Sequence, residues 1–417
     1  MNIKAKIKEK GLLKFISFVI CAPIYILIKK IYNTFSNIIK VNDKYVLFIS
    51  TPDFSDNSKA LYEYMKDRYD YKYIWLVEKK PNIENVDKNT IFVKCKSAYH
   101  HGYTLKAMHY IAKSKLIFFT HFSPISIIKE KPTQLVINLW HGCGYKDTEK
   151  KYENGKAKNR FDYALVPGKV FVETKYKFWG CDKNEILTIG YPRYDLLLKE
   201  NEETKKYIEN LKGNNEKFVI WMPTFRKTKK GDYPEEKINE DFDLPVLNSA
   251  DDVIKLNELC KNKNIILCIK RHPYQLEYQC EKMSLSNIIF IDNNDLVNAK
   301  VDLYSLLKYT DALITDYSSI AIDYILLDKP IGFILADFDN YAKTRGFVFE
   351  DPKKYMPGHH IYNFEDFMQY LEDVSLDKDV YKENRNAIMG EVHNKCDNYC
   401  ERIVNEVEKL LKEKTNG

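Results

Sequence analysis

The stretch Ile314-Thr315-Asp316-Tyr317-Ser318-Ser319-Ile320-Ala321-Ile322-Asp323-Tyr324 decides how this chain folds. The apolar run Asp311-Ala312-Leu313-Ile314 before the polar turn reads as a buried strand. The two adjacent serines then open a helical segment, giving one strand-turn-helix unit of an α/β protein. A helix start leaves backbone N–H groups unpaired at the positive end of the helix dipole, which suits a phosphate. The hydroxyls of Ser318 and Ser319 add donors beside Thr315, and Asp323, one helical turn further on, stands where it would reach a ribose or another hydroxyl. The competing interpretation is an ordinary serine-capped helix after a strand.

Working outward, the unit repeats. Short apolar runs at Tyr45–Ile49, Tyr73–Val77, Ile91–Val93, Leu116–Phe119, Leu135–Leu139 and Tyr163–Val166 alternate with helical spacing, as in Ser58–Met65. A second series runs through Phe218–Met222, Ile265–Ile269, Ile288–Ile291, Ala312–Ile314 and Ile331–Leu335. Short buried strands separated by helices predict parallel sheets with crossover helices. At 417 residues two domains are expected, and the Glu-, Lys- and Asn-rich stretch 195–216 places the boundary. The expected organisation is a basic, apolar segment over 1–40, a first Rossmann-like domain over 41–205, a second over 206–395 and a terminal helix over 396–417. A charged loop occupies about 226–245. No Gly-x-Gly-x-x-Gly or Walker A loop is present, which removes the main support for dehydrogenase or P-loop kinase chemistry.

The net charge of +6 is concentrated at one end. Residues 1–40 hold eight Lys and one acidic residue, Glu9, leaving 57 basic and 58 acidic residues for the rest of the chain. Nucleic-acid binding calls for basic residues spread over a domain face, so this pattern speaks against it. The 14 uncharged residues Phe15–Ile28, flanked by Lys14 and Lys29-Lys30, fall short of the ~20 that span a bilayer. No small-residue cleavage site follows them. They predict an amphipathic helix lying on an anionic membrane surface, with a signal anchor and a buried helix as alternatives. Nine cysteines with no Cys-x-x-Cys pair read as reduced core residues, with no metal site expected.

Side chains able to do chemistry gather at predicted strand exits, where α/β sheets bind ligands. His141 in Leu139-Trp140-His141-Gly142 stands beside a glycine that lets a ligand approach the backbone, and suits a general base. Arg271 and His272 precede Pro273 at another exit and suit an anion that gains charge in a transition state. Gly190-Tyr191-Pro192-Arg193, Thr224-Phe225-Arg226 and Thr344-Arg345-Gly346 add three further exits with arginine. Each also fits a structural turn; together they describe a cleft between two nucleotide-binding-like halves. No Asp-x-Asp cluster accompanies them, so cationic side chains and a helix start are expected to do the work a divalent cation does elsewhere, with no cofactor.

Taken in order, Ser55–Met65, Trp140-His141-Gly142, Gly190-Tyr191-Pro192-Arg193, Pro223-Thr224-Phe225-Arg226, Arg271-His272-Pro273, Thr315–Ser319, Arg345-Gly346-Phe347 and Pro357-Gly358 resemble the CDP-glycerol glycerophosphotransferases, the teichoic-acid primases and polymerases. The resemblance covers about 45–360 and implies a GT-B fold, two Rossmann-like domains facing a cleft. It implies transfer of a polyol phosphate, glycerol phosphate or ribitol phosphate, from a CDP-linked donor to a membrane-bound, lipid-linked or polymeric acceptor, with release of CMP. By matched position His141 falls on the family's proposed base, His272 on its phosphate-facing histidine, and Ser318 and Ser319 on the donor phosphate turn. Arg271, Thr315, Thr224 and Arg226 join them as expected donor contacts, and Lys146, Arg193, Arg345 and Asn57 as acceptor-side or secondary residues. One departure stands out: the family continues His-Gly with Thr-Pro-Leu-Lys, whereas this chain has Cys143-Gly144-Tyr145-Lys146. The nearest rival is a GT-B glycosyltransferase using a nucleotide-sugar; a membrane-tethered scaffold without activity is a more distant one.

Overall fold

The computed structural model describes residues 26–34, 36–83, 86–96, 103–121, 131–147, 160–224, 244–272, 275 and 277–416. Among the described residues, thirteen strands form two sheets. The first contains β1 (Asn42–Ile49), β2 (Lys72–Val77), β3 (Thr90–Lys94), β4 (Ser114–Phe119), β5 (Leu135–Asn138), β6 (Tyr163–Leu165) and β7 (Ile186–Leu187), in the order β3-β2-β1-β4-β5-β6-β7. The second contains β8 (Lys217–Met222), β9 (Ile265–Lys270), β10 (Ile288–Ile291), β11 (Ala312–Thr315), β12 (Ile331–Ile334) and β13 (His359–Ile361), in the order β10-β9-β8-β11-β12-β13. Every neighbouring pair is parallel. Parallel strands covered on both faces need continuous apolar runs. Tyr73–Val77 and Ile265–Lys270 are accordingly buried along their whole length.

All eleven apolar runs picked out by sequence are strands. Two strands lacked the signal: Ile186–Leu187 is only two residues long, and His359-His360-Ile361 sits at a sheet edge with one aliphatic residue. Both get their strand conformation from a neighbour already in place rather than from their own pattern.

Each sheet reverses its strand order once, between β1 and β4 in the first and between β8 and β11 in the second. The crevices at the carboxyl ends of these pairs are where open α/β sheets accept ligands. Residues 50–53 and Thr120-His121 leave the first pair; Thr224 and Asp316–Ser319 leave the second.

The chain crosses between the halves twice. After the second sheet it returns, and the final helix, Tyr399–Asn416, packs on elements of the first half. Asp195 receives the N–H groups of Tyr399 (2.7 Å) and Cys400 (3.1 Å), so a carboxylate from the first half caps this helix. Gly190 has φ +83°, and an added Cβ would lie 2.3 Å from the Tyr399 ring, so only glycine admits the returning chain. Just before the return, His393 is buried with its Nε2–H donating to the Ile322 carbonyl at 2.7 Å.

Among the described residues no helix is long and apolar enough to cross a membrane. Of the run Phe15–Ile28, residues 15–25 lie outside the described residues. Residues 26–34 are helical.

Burial pushes His393 down from 6.5 to about 4 and His272 likewise to about 4. A base that protonates less readily folded than unfolded makes the unfolded chain bind more protons between the two pKa values. The stability this contributes is complete above about pH 6.5 and is lost as pH falls toward 4. The midpoint of thermal unfolding should therefore fall steadily over that interval, and His393→Gln should flatten the slope; scanning fluorimetry against pH measures both.

Candidate active site

The site is assembled along the seam between the halves. β5 ends at Asn138, whose Oδ1 receives the Trp140 N–H at 3.0 Å and turns the chain; Trp140 has φ +55°. His141 follows. Its Nδ1 lies 3.0 Å from the Thr120 carbonyl, which can only accept, so Nδ1 carries the proton and Nε2 keeps a lone pair. Burial, with the neighbouring His121 second, lowers the His141 pKa from 6.5 to about 3. The ring is neutral at physiological pH and presents Nε2 as a proton acceptor.

His121 was not among the residues singled out by sequence. Its ring stacks on His141 with centroids 3.8 Å apart and planes 7° from parallel, and its Nδ1 lies 2.9 Å from the Thr120 hydroxyl. A signal was present: Phe118-Phe119-Thr120-His121 is a histidine directly after a strand, the same pattern that singled out His141.

The loop after His141 lies against the second half. Gly142 has φ +136°, and a Cβ there would be 2.6 Å from Ser319 Oγ; one on Gly144 would be 3.1 Å from Ser319 N and Cα. The loop that departs from the family pattern thus rests on the serine turn. Tyr145 is buried with its hydroxyl donating to the Tyr355 carbonyl at 2.7 Å, and its own carbonyl receives Val348 N–H at 2.8 Å. Asp147 N–H donates to the Gly346 carbonyl at 3.0 Å, and Lys146 pairs in antiparallel fashion with Phe347. Lys146 and Arg345, predicted as separate secondary residues, therefore belong to one backbone junction.

The serine turn takes the predicted form. Ser319 caps the helix Ile320–Tyr324 without a side-chain cap bond, and the Ile320 N–H reaches Ser318 Oγ at 3.5 Å. His272, Thr224 and Ser318-Ser319 leave three consecutive strands, β9, β8 and β11.

Six of the predicted site residues, four expected at the donor and two on the acceptor side or as secondary residues, already have partners within the protein. Thr315 is buried with its hydroxyl donating to the Met222 carbonyl at 2.9 Å. Thr224 spends its N–H (3.0 Å) and hydroxyl (2.6 Å) on Asp316 Oδ2, latching β8 to β11 across the switch point. Arg271 lies between Glu281 (3.2 Å) and Asp292 (3.1 Å), which neutralise the charge expected for the diphosphate. Asn57 is buried, donating to the carbonyls of Leu139 (3.3 Å) and Trp140 (2.9 Å) and accepting Arg193 N–H at 3.2 Å. Asp323, expected at a ribose, is 0% exposed and accepts from Arg193 Nη2 (2.6 Å), Tyr194 (2.5 Å) and Tyr304 (2.8 Å). Arg193, 3% exposed, also donates Nη1 to Asp56 (2.7 Å) and to the His141 carbonyl (3.0 Å). Spacing put these groups near the site; only the fold reveals the partners they already have, with Arg193 Nε alone of the Arg193 guanidinium nitrogens left without one. Arg226 and Phe225 lie outside the described residues, as does Pro273.

Two parallel α/β sheets, with a switch-point serine turn on one and a neutral histidine on the facing loop of the other, define a GT-B-like fold. The family model described as CDP-Glycerol:Poly(glycerophosphate) glycerophosphotransferase matches residues 31–409, and the chain belongs to that family. It is 30% identical over 369 residues to the teichoic acid poly(glycerol phosphate) polymerase of Bacillus spizizenii, covering 80% of this chain and 84% of that protein. It is 27% identical over 375 residues to a teichoic acid ribitol-phosphate polymerase of Staphylococcus aureus, covering 84% and 67%. The solved structure of the wall teichoic acid polymerase TagF superposes with a TM-score of 0.71 at 23% identity, covering 97% of this chain and 99% of that one, and shares its fold.

Removing one partner of a buried ion pair leaves the other charge uncompensated, at a cost of about 3–5 kcal/mol. Asp323→Ala and Arg193→Met should each lose that much stability in urea titration. Their double variant should lose less than the sum, because Asp323 and Arg193 share one interaction.

Proposed function

We propose that this protein transfers glycerol phosphate or ribitol phosphate from a CDP-linked donor to a hydroxyl of a lipid-linked or polymeric surface-glycan acceptor, releasing CMP. The observation that carries this reading is the tautomer of His141: Nδ1 is fixed on the Thr120 carbonyl, leaving the lone pair on Nε2 as the proton acceptor at a loop that touches the serine turn. The donor lies at the carboxyl ends of β9, β8 and β11, its diphosphate against Ser318, Ser319 and His272, with Lys146 and Arg345 at the adjoining junction. The acceptor oxygen attacks the distal phosphorus while its proton passes to His141 Nε2. The bond from that phosphorus to the bridging oxygen breaks, and the electron pair leaves with CMP. An anionic donor beside His141 raises the ring's basicity from its low resting value. Family membership and the TagF polymerase solved after a CDPG soak support the donor class.

The test is incubation with CDP-glycerol, CDP-ribitol and a panel of nucleotide-sugars, with nucleotide products read by mass spectrometry. CMP release from a CDP-polyol is expected, reduced about 10²–10⁴-fold in His141→Ala. Release of UMP or UDP from a nucleotide-sugar instead would favour a glycosyltransferase, and near-wild-type turnover by His141→Ala would refute the base.

The same reading places the enzyme on the cytoplasmic face of the membrane, close to its lipid-linked acceptor. Ile26, Leu27, Ile31 and Ile38 are exposed beside Lys29 and Lys30, an apolar and basic combination that suits an anionic bilayer surface. Co-sedimentation with phosphatidylglycerol-containing vesicles is expected, and should weaken when Ile26, Leu27 and Ile31 are changed to Ser; equal pelleting of that variant would refute the assignment.

A further inference from the structure

The loop that carries His141 leaves the first sheet, yet its far end is built into the second half. Tyr145, four residues after His141, is 0% exposed. Its ring lies edge-to-face against Phe333 of β12 (centroids 6.3 Å apart, planes at 89°) and against Phe349 (6.2 Å, 72°), both from the second half. That is a favoured geometry for aromatic pairs. Its hydroxyl donates to the Tyr355 carbonyl at 2.7 Å, and burial holds the hydroxyl's pKa well above its ordinary value, so it stays protonated and donating. The backbones join in both directions: Val348 N–H donates to the Tyr145 carbonyl at 2.8 Å, and Asp147 N–H to the Gly346 carbonyl at 3.0 Å. The receiving side is itself braced. Tyr355 lies against Phe349 with centroids 4.3 Å apart, and its own hydroxyl donates to Glu391 at 2.7 Å.

The two ends of the loop therefore answer to different halves. At its start, the His141 carbonyl accepts from Arg193 Nη1 and the ring Nδ1 lies on the Thr120 carbonyl, both in the first half. In its middle, Gly142 and Gly144 lie so close to Ser319 that neither leaves ordinary room for a Cβ. At its end, Tyr145 is gripped by the second half. Catalysis by a base requires it to stay within hydrogen-bond reach of the attacking oxygen, and a misplacement of about 1 Å can cost roughly 10²-fold in rate. The donor phosphorus is placed by groups of the second half, so the loop must follow that half closely. Tyrosine suits the task, because it combines a large ring with a polar tip that fixes direction. The family pattern has leucine at this position, a side chain with no polar atom to direct it.

We propose that Tyr145 is a positioning residue: it fastens the His141 loop to the second half, so that the base keeps one distance from a diphosphate held at Ser318, Ser319 and His272. The inference rests on the transfer reaction proposed above and adds how this chain keeps its base in register with the donor.

Two variants separate the contacts: Tyr145→Phe keeps the ring and deletes the hydroxyl bond, and Tyr145→Leu deletes both. With a CDP-polyol as donor, kcat should fall about thirtyfold in Tyr145→Leu and by a smaller factor in Tyr145→Phe, while calorimetric donor affinity stays within about twofold. In a His141→Ala background there is no base left to position, so adding Tyr145→Leu should cost less than about threefold. General loss of structure would cost the same in both backgrounds. Hydrogen exchange read by mass spectrometry tests the fastening without turnover: residues 142–147 and 346–349 should exchange about tenfold faster in Tyr145→Leu than in the wild type, with β8 unchanged. An equal loss of kcat in both backgrounds, or unaltered exchange in the two segments, would overturn the assignment. Faster exchange in both segments, from a wild type that releases no CMP from any CDP-polyol, would refute the transfer reaction and uphold the fastening.

Discussion

The guanidinium of Arg193 is the point on which the two halves depend. It belongs to the first half, lies between Asp56 and Asp323, and through Nη1 also holds the His141 carbonyl. Asp323 belongs to the helix that begins at the serine turn. One buried side chain thus fixes the loop bearing the base relative to the turn proposed to bind phosphate. Burying such a group is expensive, and the offset comes from its ionic and ring partners: both Nη atoms donate to carboxylates, Asp323 receives three donors, and Tyr304 stacks over the guanidinium 4.4 Å from its ring centroid, while Nε is buried without a hydrogen-bond partner. Hydrophobic contact alone would hold the halves together without fixing their register; the directional bonds of arginine supply the register.

The electrostatics of the site differ from what arginine-rich strand exits suggest. Arg271 and Arg193 are both ion-paired with carboxylates, and His141 and His272 are held neutral by burial. The resting site is poor in free positive charge at these positions. Its histidines are poised as bases whose affinity for protons grows only when an anion arrives. On the proposed mechanism, that ordering would keep His141 unprotonated until the donor is bound.

The sequence was informative where a physical requirement is local. A strand covered on both faces must be an apolar run, and Phe218-Val219-Ile220-Trp221-Met222 or Ile265–Ile269 could hardly be anything else. His141 was singled out because it follows a strand at the carboxyl end of the sheet, where ligands bind, although the same pattern also fits a structural turn. Whether a polar group is available was not legible, because that depends on partners distant in the chain: Asp323 finds Arg193 130 residues away, and Tyr399 finds Asp195 204 residues away. Gly190 illustrates the same limit, since its need for glycine comes from the Tyr399 ring, which no local spacing discloses.

The return of the last helix to the first half has a consequence for the chain as a genetic object. A single covalent crossing would let the halves be exchanged between relatives as cassettes. Here the carboxylate of Asp195 and the space beside Gly190 are completed only by residues encoded after the second sheet. A workable exchange must therefore be made as an insertion: the segment carrying the second sheet is replaced between two fixed ends, and the final helix stays with the half it caps. Recombination that respects that nesting keeps the cap and its packing intact, whereas a single crossover separates Tyr399 and Cys400 from the carboxylate that caps them.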